Sequence, residues 1–217
     1  MNFVYQFGNG QADGRADMKN LLGGKGANLA EMNLLGVPVP PGFTITTEIC
    51  AEYNELGQKQ TVALIKKEAE LGIQNIEKIM GSGFGSVENP LLLSVRSGAR
   101  VSMPGMMDTV LNLGLNDSSV EAIAKKSGDE RFAWDSYRRF VQMYGDVVLG
   151  MKSKSKVEID PFEAIMDELK KIRGIELDTD FSIKDLQKLV YQFKSAVTKQ
   201  TGKTFPDNPW EQLWGAI

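Results

Sequence analysis

With 217 residues, the chain is long enough for one large domain, or a domain with a subdomain, and for a sizeable buried core. Its 25 basic and 28 acidic residues give a net charge of −3 at pH 7, which offers nothing to attract nucleic acid or a membrane surface. The absence of histidine excludes a Ser-His-Asp or Cys-His triad, and any histidine-ligated metal, within these residues.

The single cysteine, Cys50, excludes an internal disulfide and fits a reducing cytosol. Its apolar neighbour Ile49 predicts a packed thiol rather than a nucleophile. No apolar run reaches the length of about 18 residues that a membrane-spanning helix needs. Residues 1–10 lack the basic start and apolar core of a secretory signal. We therefore predict a cytoplasmic protein.

Residues 1–116 alternate short strand patterns with helix patterns. The predicted strands are residues 3–7, 43–46 and 91–95, and the predicted helices are residues 27–35, 47–56 and 61–80. The last strand, LLLSV, is a continuous apolar run, which is typical of a strand buried on both faces. This mixed order favours an α/β or α+β fold over an all-helical one.

From about residue 117 the pattern becomes helical throughout. Amphipathic helix patterns cover residues 120–126, 131–149, 161–173 and 182–200, with short polar joints and no strand pattern between them. We therefore predict a helical subdomain at residues 117–204. It is inserted into an α/β lobe that residues 1–116 and 205–217 form together.

The C-terminal segment carries a well-formed helix start, with Asn208 as the cap, Pro209 at the first helical position and Glu211 two residues later. One apolar stripe follows from Trp210, Leu213, Trp214 and Ile217. We expect the natural chain to continue this helix beyond residue 217. The alternative is a short helix that packs on the helical subdomain.

The segment LLGGKGANLAEM places Lys25 between Gly24 and Gly26, just before an apolar-periodic helix. The free N–H groups and dipole of a helix start favour a bound anion at that place. The segment is not a Walker A loop, because Gly26 stands where that motif needs Ser or Thr. The alternative is an ordinary turn that starts a helix, with Lys25 solvated.

The segment SVRSGARVSMPGMMDTVLNLG, at residues 94–114, brings Arg96 from a strand into a loop of small and flexible residues. Such a loop can turn several N–H groups toward a polyphosphate, and Arg96 adds a planar, permanently charged donor. The alternative is a methionine-rich loop that fills a core gap. Two cationic residues on two glycine-bearing loops together predict a nucleotide site.

These motifs carry a resemblance to a known family. GGKGANLAEM, GVPVPPGFTITTE, the 94–114 segment and RFAWDSYRRFVQMYGDVV occur in this order in the pyruvate, phosphate dikinase family of phosphoenolpyruvate-utilising enzymes. The chain resembles the N-terminal portion of that family's ATP-binding domain over essentially its whole length. The resemblance implies an α+β fold: the first lobe of an ATP-grasp-like nucleotide-binding domain with an inserted helical subdomain.

The same resemblance implies roles for individual residues. Lys25 and Arg96 would contact the polyphosphate and neutralise the charge that builds as a phosphoryl group leaves. Gly105 and Met107 would lie against the terminal phosphates, with Met107 acting through its backbone N–H. Asp108 would orient the loop or Lys25, or else would only cap the loop as an Asx turn.

The resemblance also implies partners that this sequence does not contain. The family passes phosphate from ATP through a phosphohistidine on a separate mobile domain, and its magnesium carboxylates lie beyond residue 217. We therefore predict ATP binding, magnesium ligands outside this chain, no metal site formed by the chain alone, and a homo-oligomeric full-length enzyme. Arg138 and Arg139 are either a docking point for the mobile domain or, as is commoner for surface arginines, solvated or ion-paired.

The leading function is thus the ATP-binding part of a dikinase that forms AMP, diphosphate and phosphoenolpyruvate from ATP, phosphate and pyruvate, with the isolated chain inactive. Two alternatives stay open. One is a fragment of a phosphoenolpyruvate synthase, which the MPGMMDT sequence disfavours because those enzymes typically carry a serine- and acid-rich stretch there. The other is a stand-alone nucleotide-binding module without chemistry.

Overall fold

The computed structural model describes residues 2–97, 109–151 and 160–217. These residues divide into two compact units. Unit 1 contains residues 2–83 and 96–97, and unit 2 contains residues 84–95, 109–151 and 160–217. Helices are combined with two small sheets, so the predicted α+β class is confirmed.

Unit 1 is built on a three-stranded antiparallel sheet. Its elements are β1 (Val4–Gly8), β2 (Gln11–Ala12), α1 (Lys19–Leu34), β3 (Gly42–Ile45), α2 (Thr47–Leu56) and α3 (Gln58–Met80). β1 is the central strand, and its Val4 lies opposite Ile45 of β3. Asn9 and Gly10 turn the chain from β1 into β2 with φ values of 52° and 75°, which is the conformation of a type I′ hairpin.

Helix α3 packs against the strands of unit 1. Glu68 on this helix accepts hydrogen bonds from the amides of Phe3 and Val4 at 2.7 and 2.9 Å. Gly72 permits a close approach, because a Cβ atom there would lie 2.6 Å from Cδ1 of Phe43 on β3. The buried stripe of α3 follows the helical period and consists of Ile65, Ala69, Ile73 and Ile76.

Unit 2 is largely helical. Its elements are β4 (Leu93–Arg96, whose last residue belongs to unit 1), β5 (Thr109–Leu113), α4 (Ser119–Ser127), α5 (Glu130–Val147), α6 (Pro161–Arg173), a 3₁₀ turn (Asp178–Asp180), α7 (Ile183–Thr201) and α8 (Pro209–Ala216). Helix α5 is central and contacts α4, α7 and β5. Its Phe140 and Tyr144 stand edge-on to Phe205, with ring centroids 5.8 and 5.4 Å away.

Most predicted elements are found, but two of them differ from the prediction, and β2 and β5 were not predicted. Helix α1 begins at Lys19 rather than at residue 27, because only Gly23 within the glycine segment leaves the helical conformation. The strand at LLLSV is β4, in which half-buried and exposed residues alternate, so the prediction of a strand buried on both faces was wrong. Within the part of the chain that the structure describes, β4 and β5 form a sheet of two strands.

The C-terminal helix start is confirmed. The side chain of Asn208 accepts hydrogen bonds from the amides of Trp210 and Glu211 at 2.8 and 3.3 Å. The apolar side of α8 packs within unit 2: Leu213 is 1% exposed, and the Trp210 ring stands edge-on to Phe84 at 5.1 Å. Helix α8 thus packs on its own unit, and the expected continuation of the chain beyond residue 217 stays a prediction.

The compact units differ from the domains predicted from sequence. Residues 205–217 pack with the helices of unit 2, whereas the sequence placed them with residues 1–116 in an α/β lobe. Phe205 belongs to the aromatic cluster around α5, and this contact accounts for the difference. The division into a lobe and a helical subdomain at residues 117–204 stays a prediction.

Cys50 is exposed on α2, so the prediction of a packed thiol was wrong. Its neighbour Ile49 is buried, at 5% exposure. Adjacent side chains on a helix point about 100° apart, because a turn takes about 3.6 residues. A buried neighbour in the sequence is therefore no sign that a helical residue is itself buried.

Candidate functional site

Lys25 lies where α1 restarts after a break. Gly23 adopts φ 68° and ψ 165°, outside the helical region. Glycine takes a positive φ at little cost because it has no Cβ atom. The helical segment after the break begins at Gly24, and the first N–H groups of a helix have no partner within it. Lys25 is therefore in the first turn of a helical segment, where these N–H groups and the dipole favour an anion.

The glycines on either side of Lys25 have different surroundings. A Cβ atom at Gly26 would lie 2.6 Å from Cγ2 and 2.8 Å from Oγ1 of Thr44 on β3, so glycine is needed against this strand. A Cβ atom at Gly24 would meet no described atom within 4 Å. A Ser or Thr directly after the lysine, as in a Walker A loop, would not fit here. The role of Thr44 could not be predicted from the sequence, because only the tertiary structure brings its strand against the helix.

Hydrogen bonds hold the backbone on both sides of the glycine segment. Oγ1 of Thr47, at the start of α2, donates to the carbonyl of Asn20 at 2.7 Å. The amide of Ala16 donates to the carboxylate of Glu31 at 3.1 Å. Helix α1 is thus tied to α2 and to the preceding loop, and Lys25 is presented from a fixed backbone.

Arg96 is the last residue of β4, and it is exposed. Within the described ranges, neither Lys25 nor Arg96 takes part in an ion pair or a side-chain hydrogen bond, so both cations are available to an anion. Both residues belong to unit 1. Gly105, Met107 and Asp108, the other predicted contacts, lie outside the described residues, and their roles stay predictions.

The two adjacent arginines of α5 have opposite environments. The side chain of Arg138 is 3% exposed, and its Nη2 lies 2.6 Å from Asp135 and 3.6 Å from Asp178. The side chain of Arg139 is 61% exposed, and its Nε lies 2.9 Å from Asp135. The structure shows the ion pairing, and docking of a mobile domain stays a prediction. The expectation that both arginines lie on the surface was wrong, because consecutive helical residues face different directions.

A groove of about 330 Å³ lies beside these arginines in unit 2. It is lined by Arg138, Arg139, Gln142, Met143, Asp146, Val147 and Asp178. Two guanidinium groups and two carboxylates line it, and the guanidinium of Arg138 already contacts Asp178. The lining charges therefore largely balance one another, and the groove has no strong preference for an anion or a cation.

The pKa shifts in unit 2 belong to packed clusters. Burial, with the nearby carboxylate of Asp117, raises the pKa of Tyr137 far above its ordinary value, and the Tyr137 hydroxyl donates to Asp117 at 2.9 Å. Burial also raises the pKa of Tyr144 to about 12. Both hydroxyls therefore stay protonated at neutral pH, as donors that hold the unit together.

In residues 2–97, 109–151 and 160–217, no group of three or more His, Cys, Asp or Glu side chains is placed to hold a metal ion. No helix in the same ranges combines the length and the apolar character needed to cross a membrane. The expectation that magnesium ligands lie outside this chain stays a prediction.

Comparison with known proteins gives a consistent result. Residues 19–79 match the family model of the pyruvate phosphate dikinase AMP/ATP-binding domain, a stretch that contains Lys25 but not Arg96. The chain is 54% identical over 215 residues to pyruvate, phosphate dikinase of Rhizobium meliloti, and 52% identical over 217 residues to that of Clostridium symbiosum. It is also 52% identical over 214 residues to the chloroplastic enzyme of Mesembryanthemum crystallinum.

Each of these matches covers 99% of this chain. The chain spans only 23%, 24% and 22% of the length of the three relatives, respectively. It corresponds to their N-terminal part.

Proposed function

We propose, on the premise that the chain belongs to the pyruvate, phosphate dikinase family, that it forms part of the ATP site of such an enzyme. The observation that carries the proposal is the break in α1 at Gly23, which leaves Lys25 at a helix start beside the open side of Gly24. We further propose that unit 1 contributes to the first lobe of an ATP-grasp-like fold, with the helical subdomain inserted into it.

Lys25 and Arg96 bind the polyphosphate in this proposal. Their positive charges offset the negative charge on the phosphate oxygens, and the N–H groups after Gly23 add hydrogen bonds to the same group. Arg96 contributes a planar fork that can engage two phosphate oxygens at once. Gly105 and Met107 would supply backbone contacts, and Asp108 would orient the loop or cap it.

The whole protein would carry out the dikinase reaction, in which ATP, phosphate and pyruvate give AMP, diphosphate and phosphoenolpyruvate. The chain has no histidine, so the phosphohistidine of this reaction would lie on another domain of a longer, cytoplasmic and oligomeric enzyme. Magnesium, held by carboxylates outside this chain, would supply further charge neutralisation at the phosphates. We accordingly expect no dikinase turnover from the 217-residue chain alone.

Arg139 is the better candidate for docking the mobile phosphohistidine domain. Its side chain is 61% exposed, whereas that of Arg138 is 3% exposed and bound to two carboxylates. A partner surface can therefore reach Arg139 without breaking the packing of unit 2. Docking by Arg139 predicts that Arg139→Ala slows phosphorylation of the histidine in the full-length enzyme without changing ATP affinity.

The decisive experiment follows single-turnover phosphorylation of the histidine by ATP in the full-length protein. Arg96→Ala should lower the rate by roughly 10² or more, the scale for one preorganised donor, and Arg96→Lys should rescue little because the fork is lost. Lys25→Ala should lower the rate too, whereas Lys67→Ala, an exposed lysine on α3, should not.

Melting curves of the same variants separate a phosphate-binding role from a folding role. Within the described residues neither Lys25 nor Arg96 forms an ion pair or a side-chain hydrogen bond, so we expect their Ala variants to change the free energy of unfolding by no more than about 0.5 kcal/mol. A normal rate for Arg96→Ala, or a loss of rate that follows gross unfolding, would reject the assigned role.

A further inference from the structure

Gln212, on α8, has a fully buried side chain whose amide group is satisfied by three backbone groups. Its Oε1 accepts a hydrogen bond from the amide of Gly114 at 2.9 Å. Its Nε2 donates to the carbonyls of Leu115 and Pro206 at 3.0 and 2.8 Å. The residue is 0% exposed. One side chain thus joins the start of the C-terminal helix to the end of β5, which finishes one residue before Gly114.

The chain at Gly114 has little freedom to move. Its φ of 109° favours glycine, and a Cβ atom there would lie 3.1 Å from the carbonyl oxygen of Leu91. Its own carbonyl accepts a hydrogen bond from Oγ of Ser119 at 3.0 Å. Both backbone polar groups of Gly114 are therefore held by side chains, and the amide depends on Gln212.

The same contact places the end of β5 beside the start of β4. Leu91 comes two residues before β4, and its carbonyl lies against Gly114, as expected if the two strands pair as a hairpin. Arg96 is the last residue of β4 and comes five residues after Leu91, so it lies toward the other end of this hairpin, roughly 16 Å along the chain at about 3.3 Å per residue. The position and direction of Arg96 therefore depend on how firmly the base of the hairpin is held.

We propose that Gln212 is a positioning residue for phosphate binding, because it fixes the base of the β4–β5 hairpin from which Arg96 extends. The inference rests on the proposed function, in which Arg96 contacts the phosphates of ATP. A residue that only stabilised unit 2 would affect all ligands through folding alone. A positioning residue affects the ligand whose phosphates Arg96 must reach.

The test measures binding of two nucleotides to the full-length protein by equilibrium dialysis. One is α,β-methylene-ATP, which keeps all three phosphates but lacks the bond that is cleaved when AMP forms. The other is AMP, which lacks the outer phosphates. Gln212→Met keeps the side-chain volume but loses all three hydrogen bonds. We expect it to weaken binding of the ATP analogue roughly three- to ten-fold, within the range of roughly two- to thirty-fold for residues that act through a packed network, while AMP binding changes less than about two-fold.

Two further variants make the result interpretable. Ser119→Ala removes the other side-chain bond to Gly114 and should shift the ratio of the two affinities in the same direction, which tests the idea even if Gln212→Met does not fold. Leu169→Ala, at a buried position on α6, should lower the melting temperature and leave the ratio unchanged.

The possible failures can be told apart. Equal weakening of both nucleotides, or an unchanged ratio in both the Gln212 and Ser119 variants, would overturn the positioning role and leave the proposed function standing. A wild-type protein that binds neither nucleotide would overturn the proposed function and the positioning role with it.

Discussion

Replacing Arg138 by methionine should destabilise unit 2, whereas the same change at Arg139 should not. The Arg138 guanidinium is 3% exposed and lies 2.6 Å from Asp135 and 3.6 Å from Asp178. Removing one partner of a buried ion pair costs about 3–5 kcal/mol when the other charge is left alone. Here Asp135 keeps Arg139 at 2.9 Å, and Asp178 keeps the ammonium group of a lysine on α6 at 2.7 Å.

These remaining partners reduce the expected loss for Arg138→Met to about 2 kcal/mol, since neither carboxylate becomes unpaired. In a protein of this size, such a loss corresponds to a melting temperature lower by about 4–8 °C. Arg139→Met removes only a 61% exposed partner. Its expected effect is therefore no more than about 0.5 kcal/mol.

Urea unfolding followed by tryptophan fluorescence is the suitable assay. All three tryptophans of the chain, Trp134, Trp210 and Trp214, belong to unit 2, so the signal reports the unit that contains both arginines. Equal losses in the two variants, or a loss below about 0.5 kcal/mol for Arg138→Met, would contradict the argument that burial separates these neighbours.

Three further predictions concern packing, pH and capping. Gly26→Ser should lower the free energy of unfolding by about 1–3 kcal/mol, because the new side chain would clash with the threonine of β3. Gly24→Ala should have little effect, because a Cβ atom there meets no described atom. Differential scanning calorimetry measures both variants. Burial alone would raise the pKa of Asp185, but hydrogen bonds from the neighbouring serine and arginine outweigh it and lower the pKa. The carboxylate should therefore stabilise the fold fully above its unfolded pKa, and this stabilisation should disappear as the pH falls through the lower folded pKa. The midpoint of urea unfolding, measured between pH 6 and pH 2.5, should fall less steeply with decreasing pH for Asp185→Asn than for wild type. Asn208→Ala should lower the fluorescence-detected stability of unit 2 by about 1 kcal/mol, and Asn208→Asp should retain most of it; equal effects would speak against the cap.

Features set by neighbouring residues in the chain were predictable. Helix α6 has the predicted bounds, Pro161–Arg173, because a capping aspartate precedes its proline and a glycine follows its last residue. The cap at Asn208 also depends only on residues close to it in the sequence. The motifs also sufficed to find Lys25 and Arg96 as candidate cations.

Features set by tertiary contacts were not predictable. Burial of Arg138 depends on Asp178, which lies 40 residues further along the chain, and the exposure of Cys50 depends on which face of α2 meets the rest of unit 1. The need for glycine at Gly26 comes from Thr44 on another element. A single sequence shows the helical period of such segments, but it does not show which part of the protein each face of the helix contacts.

The contact between Gln212 and Gly114 also sets an order of events during synthesis of the chain. The two residues are 98 positions apart, so at about 5–20 residues per second the partner of the Gly114 amide leaves the ribosome roughly 5–20 seconds after the glycine itself. Helices with local caps, such as α6 and α7, can form as they emerge. The amide of Gly114 therefore stays exposed to water or to chaperones until Gln212 on α8 has been synthesised.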